Sequence, residues 1–186
     1  GTALGSASLE WSDLFLADGA VINFGSDQDV TLTHVADVGL RLKSVATADD
    51  KPIVLTLQTG ETDIAASDVL GKIEFQAPDE GTGTDAILVA AHIAAISEGD
   101  FSSSSNATKL SFATGASEAA AEKMSLSSAG VLTTSSNIVS GGSLLIPNAG
   151  HIGSASDVDA IAIGADGDVT LTQDLELQHN GATLSF

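Results

Sequence analysis

Acidic residues in pairs beside glycine are the first candidates for chemistry in this chain of 186 residues. Asp27 with Asp29, and Asp166 with Asp168, have the one-residue spacing that places two carboxylates on one side of a loop, where calcium could bind them. The sequence contains neither the glycine-rich nonapeptide of calcium-binding β-rolls nor an EF-hand loop. We therefore interpret both pairs as turn residues on an acidic surface, and calcium binding stays the alternative.

The histidines are the other possible metal ligands: His34, His92, His151 and His179. They are far apart in the sequence, and none forms a His-x-His pair. One histidine per chain could still gather around a metal on a threefold axis, but we expect exposed or packed side chains. The sequence therefore assigns no metal ligand and no cofactor.

Motifs for catalysis are equally sparse. There is no Gly-x-Ser-x-Gly nucleophile elbow. The 25 acidic residues could supply a glycan-cleaving carboxylate pair, but such clefts are usually lined with aromatic side chains, and this chain has a single Trp, Trp11, and no Tyr. Asn106 and Thr108 fit an N-glycosylation acceptor, which we interpret as ordinary loop polarity. We expect no catalytic residues and a protein that is not an enzyme.

The charge balance excludes whole classes of partner. Six Lys and Arg residues stand against 25 Asp and Glu, which gives a net charge of −19. A protein that neutralises phosphates needs a basic stripe, so neither nucleic acid nor an anionic membrane surface is expected as a partner. There is no cysteine for disulfides or thiolate metal sites, and no apolar run approaches the length of a membrane helix. We expect the chain to be a segment of a longer protein.

The elements that must position these residues are short, alternating strands. Residues 86–97 permit a helix because of their alanines, but Ile87, Val89 and Ile93 alternate with small residues, which favours a strand. Residues 117–123 form the only plausible helical turn. Strands are predicted at residues 9–16, 21–24, 30–34, 39–43, 53–57, 68–77, 86–97, 109–112, 124–126, 130–132, 142–146 and 167–171, with loops at 78–85 and 101–106.

A small unit made of a glycine turn and a strand recurs in the chain. Residues 29–33 have the same sequence as residues 168–172, and residues 5–8 the same as 153–156. The tripeptide Ala-Asp-Gly also occurs twice, at residues 17–19 and 165–167. At the end of the chain, Asn180-Gly181 lies between two alternating segments and predicts a hairpin. Such units indicate an all-β sandwich, a barrel, or a solenoid or prism stacked along an axis.

The apolar content predicts a core that is too thin for an isolated chain. Hydrophobic residues make up 43% of the sequence, but aromatic residues only 4%. Much of the apolar count is alanine, so each strand offers a narrow stripe with little area to bury. We therefore expect copies of the chain to complete the burial together, which favours the elongated architecture.

The middle of the chain resembles the shaft of bacteriophage tail fibres, especially those of marine phages. The resemblance covers residues 52–135. Lys123 and Ser125 stand where that family usually has arginine, a modest departure. The segments that carry the resemblance are residues 68–75, 95–101, 109–114 and 121–132.

The resemblance implies an elongated, intertwined homotrimeric β fibre of the triple β-helix or β-prism type, located in an extracellular virion and supporting host attachment. It implies partners among other virion proteins and contact with host glycans through another part of the fibre. The expected domains are a shaft segment at 1–51, a fibre β domain at 52–135 and a second shaft segment at 136–186. The alternatives are a secreted, calcium-stabilised β-roll adhesin or surface-layer module and a virion-associated polysaccharide depolymerase.

Overall fold

The computed structural model describes residues 4–78, 81, 83–172 and 174, and the described part is all-β. It contains antiparallel strands in three sheets and one short 3-10 turn at Asp85–Ile87. None of these three sheets closes on itself. The strands are β1 Val21–Phe24, β2 Val30–Val35, β3 Gly39–Ser44, β4 Val69–Gln76, β5 Val89–Ser97, β6 Thr108–Thr114, β7 Ala121–Leu126, β8 Leu132–Thr134, β9 His151–Ser154, β10 Asp157–Ile163 and β11 Val169–Leu171.

The first sheet is a meander in the order β1-β2-β3. Its strands alternate apolar and polar residues, and the register brings the apolar positions together: Leu32 lies opposite both Ile22 and Leu42. The β2–β3 connection is a tight turn in which the Val38 amide donates to the Val35 carbonyl at 3.0 Å. The three strands predicted at residues 21–24, 30–34 and 39–43 are confirmed.

The second sheet has five strands in the order β4-β5-β6-β7-β8. Its long strands confirm the predictions at residues 68–77, 109–112 and 124–126. The ambiguous segment is a strand, β5, as predicted, but it begins at Val89 because Ala86 and Ile87 lie in the 3-10 turn. β5 pairs with β4 on one side and β6 on the other. Two hydrogen-bonded neighbours decide in favour of a strand over an alanine-rich helix.

The third sheet has the order β11-β10-β9. β11 lies within the segment predicted at residues 167–171. The other two strands were not predicted, because Gly153, Asp157 and Asp159 lower the strand propensity of the stretch, although β10 also contains Val158, Ile161 and Ile163. They form a hairpin closed by the Ser-Ala-Ser turn, in which Ser154 Oγ lies 3.2 Å from Ser156 Oγ.

The predicted helical turn at residues 117–123 is wrong. Ala121 and Lys123 belong to β7, which pairs with β6. The preceding residues bend back to the neighbouring strand, where the Ala120 amide donates to the Val89 carbonyl at 2.9 Å. A helix of two turns is marginal in water, so the strand ladder prevails.

Three further predicted strands, at residues 9–16, 53–57 and 142–146, are absent from the described sheets. Leu9 forms only an isolated bridge with Ser6. The segment predicted at 130–132 contributes only Leu132, as the first residue of β8. An alternating pattern gives a segment strand propensity, but a strand also needs a partner for its backbone hydrogen bonds. The predicted hairpin at Asn180-Gly181 lies outside the described residues.

Very few described residues are buried. They are two alanines, Ala94 and Ala113, and two serines, Ser97 and Ser111, all in the five-stranded sheet.

Contacts divide the chain into units Gly1–Val131 and Leu132–Phe186. The predicted domain boundaries after residues 51 and 135 stay predictions. Among the described elements, no helix is long and apolar enough to cross a membrane.

Candidate functional site

The five-stranded sheet has two chemically different faces, because residues paired across antiparallel strands point to the same side. One row runs Ile73, Ile93, Phe112, Met124 across four strands. We call this side the apolar face. Its apolar members in the central rows are Gly71, Ile73, Phe75, Ala91, Ile93, Ala95, Leu110, Phe112, Met124 and Leu126. The same register also places Ser97, Thr108, Thr114 and Ala121 on this side, toward its ends.

The large side chains of the apolar face lie open to solvent. Phe75 is 55% exposed, Ile73 46%, Leu110 43%, Leu126 40% and Ile93 37%. These residues are neighbours on adjacent strands, so they form one continuous patch. A contiguous exposed apolar patch of this kind is typical of an interaction surface rather than of a free monomer surface.

The opposite side, the polar face, covers its own small residues. Lys72 Nζ lies 2.6 Å from Glu74 Oε1, and Lys109 Nζ lies 2.8 Å from Glu122 Oε2. Between these long side chains are positions where small residues reach almost complete burial, Ala113 among them. The sheet therefore satisfies its polar side within one chain and leaves its apolar side uncovered.

Hydrogen bonds on and beside the polar face stabilise charged carboxylates. The Lys109 ammonium, followed by the Ser111 hydroxyl, lowers the pKa of Glu122 below its ordinary value. The Ser128 hydroxyl and amide do the same for the pKa of Glu98, whose Oε2 accepts from the Ser128 amide at 3.0 Å. These lowered pKa values describe exposed ion pairs and turn contacts, and none places a proton donor or acceptor in a cleft.

One end of the apolar face is already occupied by the chain itself. Leu57 lies over Gly71 so closely that a Cβ at position 71 would meet the Leu57 Cβ at 2.9 Å. Leu57 and the neighbouring face residues Ile73, Ile93 and Leu110 line a shallow groove of about 300 Å³. The predicted strand at residues 53–57 thus contributes a side chain to the edge of this face, although it joins no described sheet.

The two acidic pairs occupy equivalent loops in two different sheets. Residues 25–29 connect Phe24 to Val30, and residues 164–168 connect Ile163 to Val169, with the same strand register. The structure therefore aligns residues 165–167 with 26–28 rather than with the earlier Ala-Asp-Gly at 17–19, which forms a turn before β1. In both loops the fourth residue has positive φ, +51° at Gln28 and +92° at Gly167. Positive φ at these positions is a turn geometry.

The candidate metal ligands are not brought together. Across the described residues, no group of three or more His, Asp or Glu side chains is placed to hold a metal ion. His34 Nδ1 lies 3.5 Å from Asp18 Oδ1 in an exposed pair. His92 lies on the polar face and His151 is exposed in β9, and His179 lies outside the described residues.

Trp11 is the single tryptophan of the chain, and its surroundings were tested for a glycan cleft. Trp11 and Glu10 border a cavity of about 430 Å³ with apolar neighbours. Among the described residues, Glu10 is the only carboxylate that lines it, whereas a glycosidase mechanism uses two. The glycosylation motif spans the end of the loop and the first residue of β6, where Thr108 Oγ1 donates to the Asn106 carbonyl at 2.9 Å.

Serine-rich turns form a structural signature that the sequence repeat only partly indicated. Ser6 Oγ lies 3.3 Å from Ser8 Oγ, and Ser102 Oγ lies 3.4 Å from Ser104 Oγ. The hairpin turn between β9 and β10 has the same Ser-x-Ser contact. The spacing of two serines flanking one residue could have located all three turns.

Comparison of the chain with protein-family models and with curated proteins gives no match.

Proposed function

We propose that this chain is a structural segment of a homotrimeric virion fibre, a phage tail or head fibre, that supports attachment to a host cell. The observation that carries the proposal is its exposed surface. The chain exposes 14788 Å², whereas a folded monomer of this size is expected to expose about 8,200 Å². This excess of exposed surface supports a fold that further chains complete.

Two features of the described sheets support association between copies. The large apolar side chains lie mostly exposed, while the few buried positions hold only alanine and serine. All three described sheets also have open edges, and backbone groups along such edges readily pair with another strand. Winding several chains around one axis would cover both the apolar side chains and the edges.

The number of chains and the biological role come from the resemblance of residues 52–135 to phage fibre shafts. That family implies three identical chains, which is one of the closed symmetric assemblies that homo-oligomers adopt. It also implies that the shaft is a rigid support, with the receptor bound by another part of the fibre. The net charge of −19 suits an extracellular particle in a salty medium, where screening reduces self-repulsion.

The proposal is tested first by the mass and shape of the purified chain in solution. Multi-angle light scattering should give three times the mass of one chain, and small-angle scattering should give an elongated particle. Denaturation should be slow, because three wound chains must separate together. The same chain after full denaturation in guanidinium is the single-chain reference for mass. A compact, stable monomer would contradict the proposal.

The place of the chain in a virion needs a separate experiment. Fab fragments raised against the purified chain should decorate fibres in electron micrographs of intact particles, and unrelated Fab fragments should not. Decoration of a non-fibre structure would remove the attachment role even if the chain is trimeric. Melting with and without a calcium chelator separates the fibre from the β-roll adhesin, because only the latter predicts a large shift.

A further inference from the structure

We infer that the apolar face of the five-stranded sheet is the surface on which copies of this chain pack against one another, forming a shared apolar core. This inference rests on the proposed function, because it presupposes that several copies associate. The inference goes further than the proposed function because it names the apolar face as the interior of the assembly and the polar face as its solvent-exposed side. The occupant of the apolar face is therefore the same face of another copy.

The chemical contrast between the two faces supports a copy as the occupant. The members of the apolar face carry no formal charge, whereas the polar face carries Lys72, Glu74, Lys109 and Glu122. Two chains of net charge −19 repel each other over most of their surface. They associate at least cost where neither presents a charge that must be desolvated. The apolar face meets that condition.

The amount of uncovered surface also supports a copy of the chain. A standard protein interface covers about 800 Å² on each partner, and obligate homo-oligomers cover far more and are more apolar. On the apolar face, Phe75 is 55% exposed, Ile73 46% and Leu110 43%, and exposed apolar side chains of this size fit the more apolar, obligate class. A small or transient partner would leave most of these side chains exposed.

The remaining candidate occupant is a segment of the same chain. Leu57 already lies over Gly71 at one end of the face, whereas Ile53 and Val54 lie beside Asp29, Val30 and Ser44. Phe75, toward the other end of β4, is still 55% exposed. The segment that is present therefore covers the edge and leaves most of the face for another molecule.

A pair of adjacent residues on opposite faces gives a matched test. Ile73 is 46% exposed in a single chain, and the neighbouring Glu74 side chain is 42% exposed. Because the chain has no cysteine, Ile73→Cys and Glu74→Cys each introduce one thiol that a maleimide can label. Without an interface the two thiols should react at similar rates. With the inferred interface, Ile73→Cys should react at least about tenfold more slowly, since labelling must await local opening.

Each result decides the inference. Equal labelling rates in the native protein would overturn it. Protection of Ile73→Cys in a species with the mass of one chain would also overturn it, because a segment of the same chain would then be the cover. Protection in a multi-chain species, lost in guanidinium where both thiols react equally, is the expected result. Protection that appears only after adding cell extract would assign the face to a foreign protein and contradict the inference.

A second pair of variants tests association directly. Ile73→Gln places an amide on the apolar face, and Glu74→Gln places the same amide on the polar face. The first should shift the assembly toward smaller species at a given concentration, and the second should leave the mass unchanged. If the unmodified chain is a trimer but Ile73→Gln associates as well as Glu74→Gln, the face is wrongly assigned and the fibre proposal stands. If the unmodified chain is a monomer, the fibre proposal itself fails.

Discussion

The five-stranded sheet and the two three-stranded sheets differ in how much of their packing a single chain completes. Every buried residue of the described chain lies in the five-stranded sheet, at positions 94, 97, 111 and 113. The described residues of the two three-stranded sheets are all at least partly exposed. The difference follows from strand length and number, since only β5 and β6 are long strands with a long neighbour on each side.

The comparison shows that this chain divides its packing into two kinds. Small residues are buried within one chain, at Ala94, Ser111 and Ala113 on the polar face and at Ser97 beside Asp68, whereas the larger apolar side chains stay exposed. The five-stranded sheet should therefore be the most protected part of a chain, and the three-stranded sheets should depend more on neighbours. Substitutions at matched positions in the two kinds of sheet can test this difference.

The largest effect is expected from enlarging a buried alanine. Ala113 is 2% exposed, so Ala113→Leu forces extra methylenes among close neighbours and should lower the free energy of unfolding by about 1–3 kcal/mol. Ala162→Leu in β10 is the control, because that position is only partly buried and should change stability by less than about 0.5 kcal/mol. Urea unfolding followed by circular dichroism measures both. Equal effects would abolish the distinction between the sheets.

The next effect comes from a serine that ties the start of β4 to the end of β5. Ser97 Oγ accepts from the Asp68 amide at 2.9 Å and donates to the Ala65 carbonyl. Since Ser97 is 2% exposed, Ser97→Ala removes two hydrogen bonds from a buried side chain and should cost about 1–2 kcal/mol.

Ser44, at the end of β3, is the matched serine in a three-stranded sheet. Its hydroxyl accepts from the Ala46 amide at 3.3 Å in an exposed position. Ser44→Ala should therefore have almost no effect on the free energy of unfolding.

For the Ser97→Ala variant, hydrogen exchange should be faster at the Asp68 amide than in the unmodified chain. An unchanged rate there would mean that the hydroxyl does not hold this connection.

Strand propensity and turn chemistry made much of the five-stranded sheet predictable. Alternation from Lys72 to Gln76 identified both the strand and its two faces, and alternation at Val89 and Ile93 outweighed the helical tendency of the alanines. The burial of small residues was not predictable, because it depends on which strands become neighbours. Register and bulges, such as the shift between Val69 and Gly71, likewise arise only from pairing.

The segments at residues 53–57 and 142–146 show that an alternating sequence pattern alone does not predict a strand. Both alternate well, yet neither joins a described sheet, because propensity does not provide a hydrogen-bonding partner. Conversely, β9 and β10 form although Gly153, Asp157 and Asp159 lower their strand propensity, and the Ser-Ala-Ser turn connects them. The candidate sites show the same limit. The acidic pairs could be found from their spacing in the sequence, whereas the apolar face could be identified only from the pairing register of the strands.

A smaller effect is expected from the positive-φ glycine in the acidic loop between β10 and β11. Gly167 has φ of +92°, a conformation that costs an L-residue roughly 1 kcal/mol. Gly167→Ala should therefore destabilise the β10–β11 hairpin by about that amount, seen as faster hydrogen exchange in β10. Gly142→Ala is the control, since its added Cβ meets nothing within 4 Å and its φ is not positive. A silent Gly167→Ala would show that the loop can change its turn type.

The smallest effect concerns the ion pair on the polar face. Because Lys109 and Ser111 lower the pKa of Glu122 in the folded chain, the carboxylate stabilises the fold above the unfolded-state pKa and loses that contribution as pH falls through the folded pKa. Exposed pairs are worth about 0.2–1 kcal/mol, so a double-mutant cycle of Glu122→Gln and Lys109→Met should give a few tenths of a kcal/mol at pH 7. The coupling should vanish in acid. Coupling that persists there would mean that the two side chains interact through packing of their aliphatic parts rather than through charge.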